Sequence, residues 1–406
     1  MSVDIVIVGG GPAGLTAAAH LAGRHTVVVL ERESVAGGIP RHSDHLGYGI
    51  RDLRTVLSGP DYARRLVARA VTAGADIRTD AMVTGWAGER ALEVTSPSGR
   101  EVIEAAVVVL ATGARERPRP ARLIAGDRPA GIYTTGHLQN LVHLHGRGVG
   151  RRAVVVGAEL VSYSAVLTLR HAGCRTVLMT TEHRRPESYV AFTAAARAAL
   201  GVRVATRTTV TRIIGAPQLR AVEIENIDTG ARRIVDCDTL ILTGDWIPDH
   251  ELARTGGLAM DTRAGIPVVD TALRTNRTGV FAIGNLVHPV DTADVAALDG
   301  RHVADRIHAH LAGHRGPTGG VRLVAQAPLR WISPGLLSDG APPRGRLLAW
   351  TDTSLHSPVV TAHQDGRLLA RLRLPWPASP GRMFRIPARI VASADRDGGP
   401  VSVAVR

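Results

Sequence analysis

Asp4-Ile5-Val6-Ile7-Val8 runs straight into Gly9-Gly10-Gly11-Pro12-Ala13-Gly14, and residues 15–22 continue as an alanine-rich, helix-forming stretch. A short unbroken apolar run of this kind predicts a strand buried on both faces of a parallel sheet. Residues 26–30 form a second β-branched run that ends at Glu31, with Arg32 next. Strand, G-x-G-x-x-G, helix, strand and an acid roughly 20 positions past the glycines make a dinucleotide-binding βαβ unit. Gly9 permits the tight turn, Gly11 lets backbone approach a pyrophosphate, and Gly14 lets the helix lie close on the strand. The helix N-terminus, opened by Pro12 and Ala13, offers unpaired N–H groups to phosphate. Glu31 is the expected acceptor for the adenosine ribose hydroxyls.

The unit recurs. Ala153-Val154-Val155-Val156-Gly157 aligns with the first strand at an offset of 148 residues, residues 160–170 supply a helix, and residues 176–179 echo the second strand. The second copy is altered at its glycines, reading Gly157-Ala158-Glu159-Leu160-Val161-Ser162. Glu159 takes the place where backbone must approach a pyrophosphate, and both its bulk and its charge oppose a dianion. Aligning Thr176 with Thr26 puts Thr181 opposite Glu31. The second unit is therefore expected not to use a nicotinamide nucleotide productively. Arg184 and Arg185 carry the opposite reading, since they could meet a 2′-phosphate.

Further strands are expected at residues 107–113, 239–244 and 279–285, with a helix over about 292–310 and a linker over 115–120. After Gly316 the composition shifts: eleven of the 23 prolines and Trp331, Trp350 and Trp376 fall in the last 91 residues. Short alternating stretches there predict strands. The expected organisation is α/β, with two Rossmann-like domains, the second inserted in the first, and a small C-terminal β domain. The boundaries are placed at 1–118, 119–237, 238–315 and 316–406.

A chain of 406 residues suggests two or three domains at ~100–200 residues each. With 45% hydrophobic and 21% charged residues, it reads as globular rather than disordered. It offers no apolar run near the ~18 residues of a membrane span and no basic leader. The net charge of +13 comes without a single lysine; all 49 basic residues are arginine, they are scattered, and aromatics are only 3%. A nucleic-acid binder would cluster its cations and supply rings for stacking, so that class is set aside. The charge still suits anionic substrates or partners. Cys174 and Cys237 are too few for an iron–sulfur cluster and form no C-x-x-C. No metal site is expected, Cys174 reads as a buried inert thiol, and the compartment reads as reducing, hence cytoplasmic.

These motifs, in this order, resemble the two-dinucleotide-domain flavoproteins that include the pyridine nucleotide-disulfide oxidoreductases. The resemblance covers about residues 1–312 and rests also on Ala111-Thr112-Gly113 and on Val280-Phe281-Ala282-Ile283-Gly284-Asn285. It implies FAD, with Asn285 standing where the family's ribityl-binding aspartate is usual. Gly37-Gly38-Ile39-Pro40-Arg41-His42-Ser43-Asp44-His45 narrows it toward the larger FAD subunit of opine and amino-acid dehydrogenases and hydrogen cyanide synthase. What this implies is an FAD-dependent dehydrogenase, or one subunit of such an enzyme, that oxidises a small amine, amino acid or hydroxy acid. A second flavoprotein subunit or an electron-acceptor protein is the implied partner. An NAD(P)H-dependent flavoprotein reductase and a non-catalytic electron-transfer subunit stand as alternatives.

The expected cofactor contacts are Gly9, Gly11, Pro12, Ala13, Gly14, Glu31, Arg32, Gly37, Gly38, Ile39, Arg41, His42, Val83, Ala111, Thr112, Gly113, Gly284, Asn285, Asp294 and Val295. Arg41, His42 and His45 are the expected catalytic groups: arginine to pair with a substrate carboxylate, histidine to take a proton near neutral pH. The competing expectation is a loop that only binds FAD, with Tyr48 a weaker candidate. His288 and Pro289 follow the Asn285 turn and are candidates either for the flavin edge or for a solvent loop. Asp291 and Asp294 are expected to cap the following helix.

Overall fold

The computed structural model describes residues 2–314 and 320–406. The elements that place the site are, in chain order, β1 (Ser2–Val8), α1 (Pro12–Leu21), β2 (Val27–Leu30), β3 (Gly99–Leu110), β4 (Arg152–Val156), α2 (Leu160–His171), β5 (Arg175–Thr180), β6 (Thr239–Leu242), β7 (Val280–Ala282) and α3 (Ala293–Leu311). The chain divides into two compact units. One holds the residues up to Arg41, Gly47–Ala114 and Pro248–Arg406, and the other holds His42–Leu46 and Arg115–Ile247.

The first unit is built on a sheet in which β1 lies between β2 and β3, with β7 on the far side of β3, all parallel. Ile5, Val6 and Ile7 are fully buried, as a continuous apolar strand in a two-sided sheet requires. Leu15, Ala18 and Leu21 of α1 and Val303 and Ile307 of α3 close one core with these strands. The near half of β3 instead pairs antiparallel with Ala91–Ser96, which forms a small antiparallel extension with Met82–Trp86. Gly300 lets α3 cross tightly on α1: a Cβ there would stand 2.3 Å from the Ala13 carbonyl oxygen.

The C-terminal β module belongs to this first unit. It contains a five-stranded sheet and a three-stranded sheet around Leu329, Leu347, Val360, Phe384 and Val401. It is joined to the nucleotide-binding part by backbone bonds, with Gly335 N–H donating to the Val269 carbonyl at 3.0 Å, and by Trp331, Trp350 and Met383, which pack with Ile266. The boundary placed at 315/316 lies outside the described residues.

The second unit has its own parallel sheet, in the order Ile132–Thr134, β6, β4, β5, Val204–Ala205. A four-stranded sheet accompanies it, three of whose strands run Thr208–Ile214, Ala221–Asn226 and Arg232–Asp236. Two boundaries are corrected by this topology. Strand β6, assigned from sequence to the returning first domain, pairs with β4 in register Val154↔Leu240 and is central to the second sheet. The crossings therefore fall at Ala114/Arg115 and Ile247/Pro248 rather than at 118/119 and 237/238. The expected linker over 115–120 is not featureless: it ends a short strand, Ala114–Glu116, and begins a helical turn, Arg119–Arg122. Both parallel strands ending in Thr-Gly look alike in sequence, and only their pairing tells them apart.

Candidate functional site

The first βαβ unit folds as its glycines require. A Cβ on Gly14 would lie 2.0 Å from the Gly9 carbonyl oxygen, so only glycine permits α1 to approach β1 this closely. A Cβ on Gly11 would meet nothing within 4 Å. This is the open approach that a pyrophosphate needs, above a helix whose N-cap carries no side-chain cap. Glu31 is buried. Its Oε2 accepts from Gly10 N–H at 2.9 Å and its Oε1 from Glu33 N–H at 2.9 Å. Each carboxylate oxygen keeps a further lone pair, so Glu31 both shapes the glycine turn and can still accept from ribose hydroxyls. Arg32 pairs with Asp249 at 3.1 Å on the surface.

Around this cradle the structure brings together most of the expected contacts. Gly37 N–H donates to the Gly10 carbonyl at 2.8 Å, and Gly38 lies against Gly11, where a Cβ would come within 2.9 Å of its Cα. Ala111 N–H donates to the Val8 carbonyl, and Thr112 Oγ1 donates to the Asp249 carbonyl at 2.7 Å. Gly284, at φ 67, turns against Ala13. Val83 pairs with Val94 in the antiparallel extension. Ile39 is half exposed on the turn Ile39–His42.

Asn285 donates from Nδ2 to the Asp291 carbonyl at 3.0 Å, which leaves its buried Oδ1 without a partner among the described residues. A buried acceptor with nothing to accept, beside an open glycine cradle, fits the hydroxyl-rich chain of FAD.

Other expected residues are differently employed. The Asp294 carboxylate accepts from Arg51 at 3.1 Å, from Thr292 Oγ1 at 2.5 Å and from Val295 N–H at 3.0 Å. Asp291 accepts from Thr292 N–H, but Thr292 is itself the N-cap of α3 and the cap carries no side-chain hydrogen bond, so the expectation that these acids cap the helix is corrected: Asp294 stands in its first turn and Asp291 precedes it. His288 is not a solvent-loop residue. It is buried, with Nε2 2.6 Å from Asp299 Oδ2.

Arg41 faces Glu33 at 3.7 Å, and its buried Nε has no partner among the described residues. His45 has both ring nitrogens engaged, Nε2 with Ser43 Oγ at 3.1 Å and Nδ1 with the Leu46 carbonyl at 2.9 Å. Ser43 in turn accepts from Gln139, which also reaches Ser164 Oγ at 2.7 Å. His45 is thus held by its own loop in the second unit, while His42 is buried beside it in sequence.

The second βαβ unit departs where its sequence departs. A Cβ on Gly157 would stand 2.1 Å from Thr243 Oγ1, so the tight turn survives. Ser162 replaces the close-packing glycine, accepts from Glu159 N–H at 3.1 Å and bonds Thr243 Oγ1 at 2.6 Å. The Glu159 carboxyl lies against Gly244, with Oε1 2.0 Å from where a Cβ would be. Burial, then the neighbouring Glu187 and Glu116, push this carboxyl up to about 8. Burial likewise lifts Glu187 to about 7. The expected electrostatic opposition to phosphate is therefore corrected: near neutral pH the Glu159 side chain is largely protonated and carries little charge. Opposite Glu31, Thr181 Oγ1 accepts from His183 N–H and donates to Glu187 Oε1 at 2.9 Å. Arg122, which no sequence motif singles out, donates to the Thr243 and Gly244 carbonyls at 2.9 and 2.8 Å.

Residues 3–300 match the family described as pyridine nucleotide-disulphide oxidoreductase. The chain belongs to this family. It is an FAD-dependent oxidoreductase, and no helix among its described residues is long and apolar enough to cross a membrane.

Among curated relatives, an opine oxidase subunit from Agrobacterium tumefaciens (strain Ach5) is 27% identical over 76% of this chain, which spans 65% of that protein's length. Thioredoxin reductase of Treponema pallidum is 28% identical over 70% of this chain and 88% of its own. Among solved structures, T. acidophilum thioredoxin reductase superposes with a TM-score of 0.65 at 20% identity, over 77% of this chain and 99% of its own. That last likeness is one of fold. Unlike a dithiol relay, Cys174 and Cys237 are free and buried, and burial pushes the thiols up to about 11 and about 12.

Proposed function

We propose that the chain is the FAD-bearing subunit of a dehydrogenase that oxidises a small amine, amino acid or hydroxy acid. It would hand the electrons to a second flavoprotein subunit or to an acceptor protein in a reducing, cytoplasmic setting. The observation that carries this reading is Glu159, which stands where the first unit has Gly11 and lays its carboxyl against Gly244, so that its bulk would oppose a pyrophosphate there. The match to the opine oxidase subunit supports it, and the two inert thiols argue against relay through a disulfide.

FAD supplies the two-electron redox chemistry; the chain's residues bind, orient and move protons. Gly11, Glu31 and Asn285 would hold the pyrophosphate, the adenosine ribose and the ribityl chain. Arg41 is the proposed partner of a substrate carboxylate, through the guanidinium edge whose Nε has no partner among the described residues. His42 is the proposed base. His45 is assigned to holding the loop, because both its nitrogens are engaged.

The second reading is an NAD(P)H-dependent flavoprotein reductase. The comparisons weigh toward it, since the thioredoxin reductase match spans more of that relative than the opine oxidase match spans of its own. Anaerobic stopped-flow mixing separates the two readings. Bleaching of the flavin band by an amino acid or hydroxy acid, and not by NADH or NADPH, is the expected result. Rapid bleaching by either nucleotide establishes the reductase.

A further inference from the structure

Two arginines of the C-terminal β module end on the segment that carries Asn285 and the start of α3. Arg344 donates to Asp299 Oδ1 at 2.5 Å, and Arg385 donates to Asp291 Oδ1 at 3.0 Å. Both carboxylates are almost fully buried, with side-chain exposures of 1% and 2%. Arg344 holds a left-handed backbone, φ 59 and ψ 17, inside the turn Pro343–Gly345. Non-glycine residues rarely adopt it, and it persists where the surroundings fix it.

From each carboxylate a short path leads to the flavin-binding turn. Asp299 Oδ2 accepts from Gly284 N–H at 3.1 Å and meets His288 Nε2 at 2.6 Å. The Asp291 carbonyl accepts from Asn285 Nδ2 at 3.0 Å, which orients the amide so that Oδ1 is the atom left to accept.

We infer that Arg344 and Arg385 are positioning residues for FAD, acting through Asp299 on Gly284 and through Asp291 on Asn285, so that the C-terminal β module is a working part of the flavin site. A buried carboxylate deprived of its cation is an uncompensated charge, and it rearranges or protonates rather than keeping its geometry. Burial alone would raise the Asp299 carboxyl. Arg344, and then His288, outweigh burial and hold it below the usual carboxylate range. The inference holds whichever electron donor serves the flavin.

The test uses the full chain with Arg344→Gln, Arg385→Gln, Arg344→Lys and a control, Arg330→Gln, whose pair with Asp352 at 2.8 Å is half exposed. FAD is removed and titrated back by fluorescence, and the midpoint potential of the bound flavin is measured. Each Gln variant is expected to weaken FAD by about tenfold or more and to shift the potential, because each removes a charged hydrogen bond behind the turn. Arg344→Lys should recover part of both effects, and Arg330→Gln should change neither. Folded Gln variants with FAD affinity within about twofold of the parent and an unchanged potential, as expected of the exposed control, would overturn the inference. If Arg344→Gln does not fold, Arg385→Gln decides alone by the same two readouts.

Discussion

The two βαβ units of this chain share a topology and differ at one decisive atom position. In the first, the point above the glycine turn is open: a Cβ on Gly11 would meet nothing within 4 Å. In the second, the aligned residue is Glu159, and its carboxyl reaches across to Gly244. The tight turn at Gly9 and at Gly157 is kept in both, because each has a positive φ and close neighbours, the Ala111 carbonyl in the first and the Thr243 and Ser162 hydroxyls in the second, whether or not a nucleotide binds. The second unit differs both at the pyrophosphate position and at the close-packing glycine, where Ser162 bonds Thr243 Oγ1. The acid aligned with Glu31 is absent as well: Thr181 stands there and bonds Glu187, whereas Glu31 keeps a further lone pair on each oxygen beyond its bonds to Gly10 and Glu33. Fold and binding are thus expected to separate within one polypeptide: the strand pattern maintains the scaffold in both units, and single residues are proposed to decide whether each holds a nucleotide.

The largest expected effect comes from writing the second unit's residue into the first. Gly11→Glu should leave the fold and abolish the yellow colour. FAD affinity should fall by roughly a hundredfold or more, since a side chain there displaces phosphate from charged hydrogen bonds of roughly 1.5–3 kcal/mol each. Retained FAD in purified Gly11→Glu would break the comparison outright. Glu31→Ala comes next. It removes the ribose acceptor and the anchor of Gly10 and Glu33, and should lower FAD affinity by about tenfold or more by the same hydrogen-bond scale. Fluorescence titration of the apoprotein measures both.

A smaller effect sharpens the second half of the comparison. The Glu159 carboxyl is raised in the folded chain to about 8 from an ordinary 4.5. Between those values the unfolded chain has lost a proton that the folded chain keeps, so this group makes stability fall as pH rises through the window. Glu187, raised to about 7, acts in the same direction over a narrower range. Glu159→Gln should therefore leave Tm unchanged near pH 4 and raise it by roughly 2 °C or more by pH 8. A gain at pH 4 that vanishes at pH 8 would reverse the assigned protonation. The smallest expected effect is none: Cys174→Ser with Cys237→Ser should leave the rate of flavin reduction intact, because neither thiol is exposed or ionised. Loss of reduction in a folded double variant would restore a thiol relay.

Much of this was legible in the sequence because local chemistry forces it. A continuous apolar strand followed by G-x-G-x-x-G has few other ways to fold, and the altered glycine of the second copy is visible by alignment alone. The boundaries were harder, because residues 107–113 and 239–244 read alike and only their partners differ. Asp299 carries a weaker signal. It stands in the stripe Val295–Val303–Ile307 of α3, where an acid among buried apolar residues must find a cation. That cation is Arg344, 45 residues further on in a module with no motif, and no local pattern announces such a partner. The direction of the Glu159 effect was also not readable, since its charge depends on burial beside Glu187 and Glu116.

The central claim is that one unit is loaded and the other closed. Its most direct test is an anaerobic titration of the FAD-loaded chain with NADH and NADPH, followed at the flavin band together with the released-flavin count. One FAD per chain and no saturable reduction by either nucleotide are expected. Fast reduction that saturates at micromolar nucleotide would contradict the claim, and would show that Glu159 moves aside to admit a second dinucleotide.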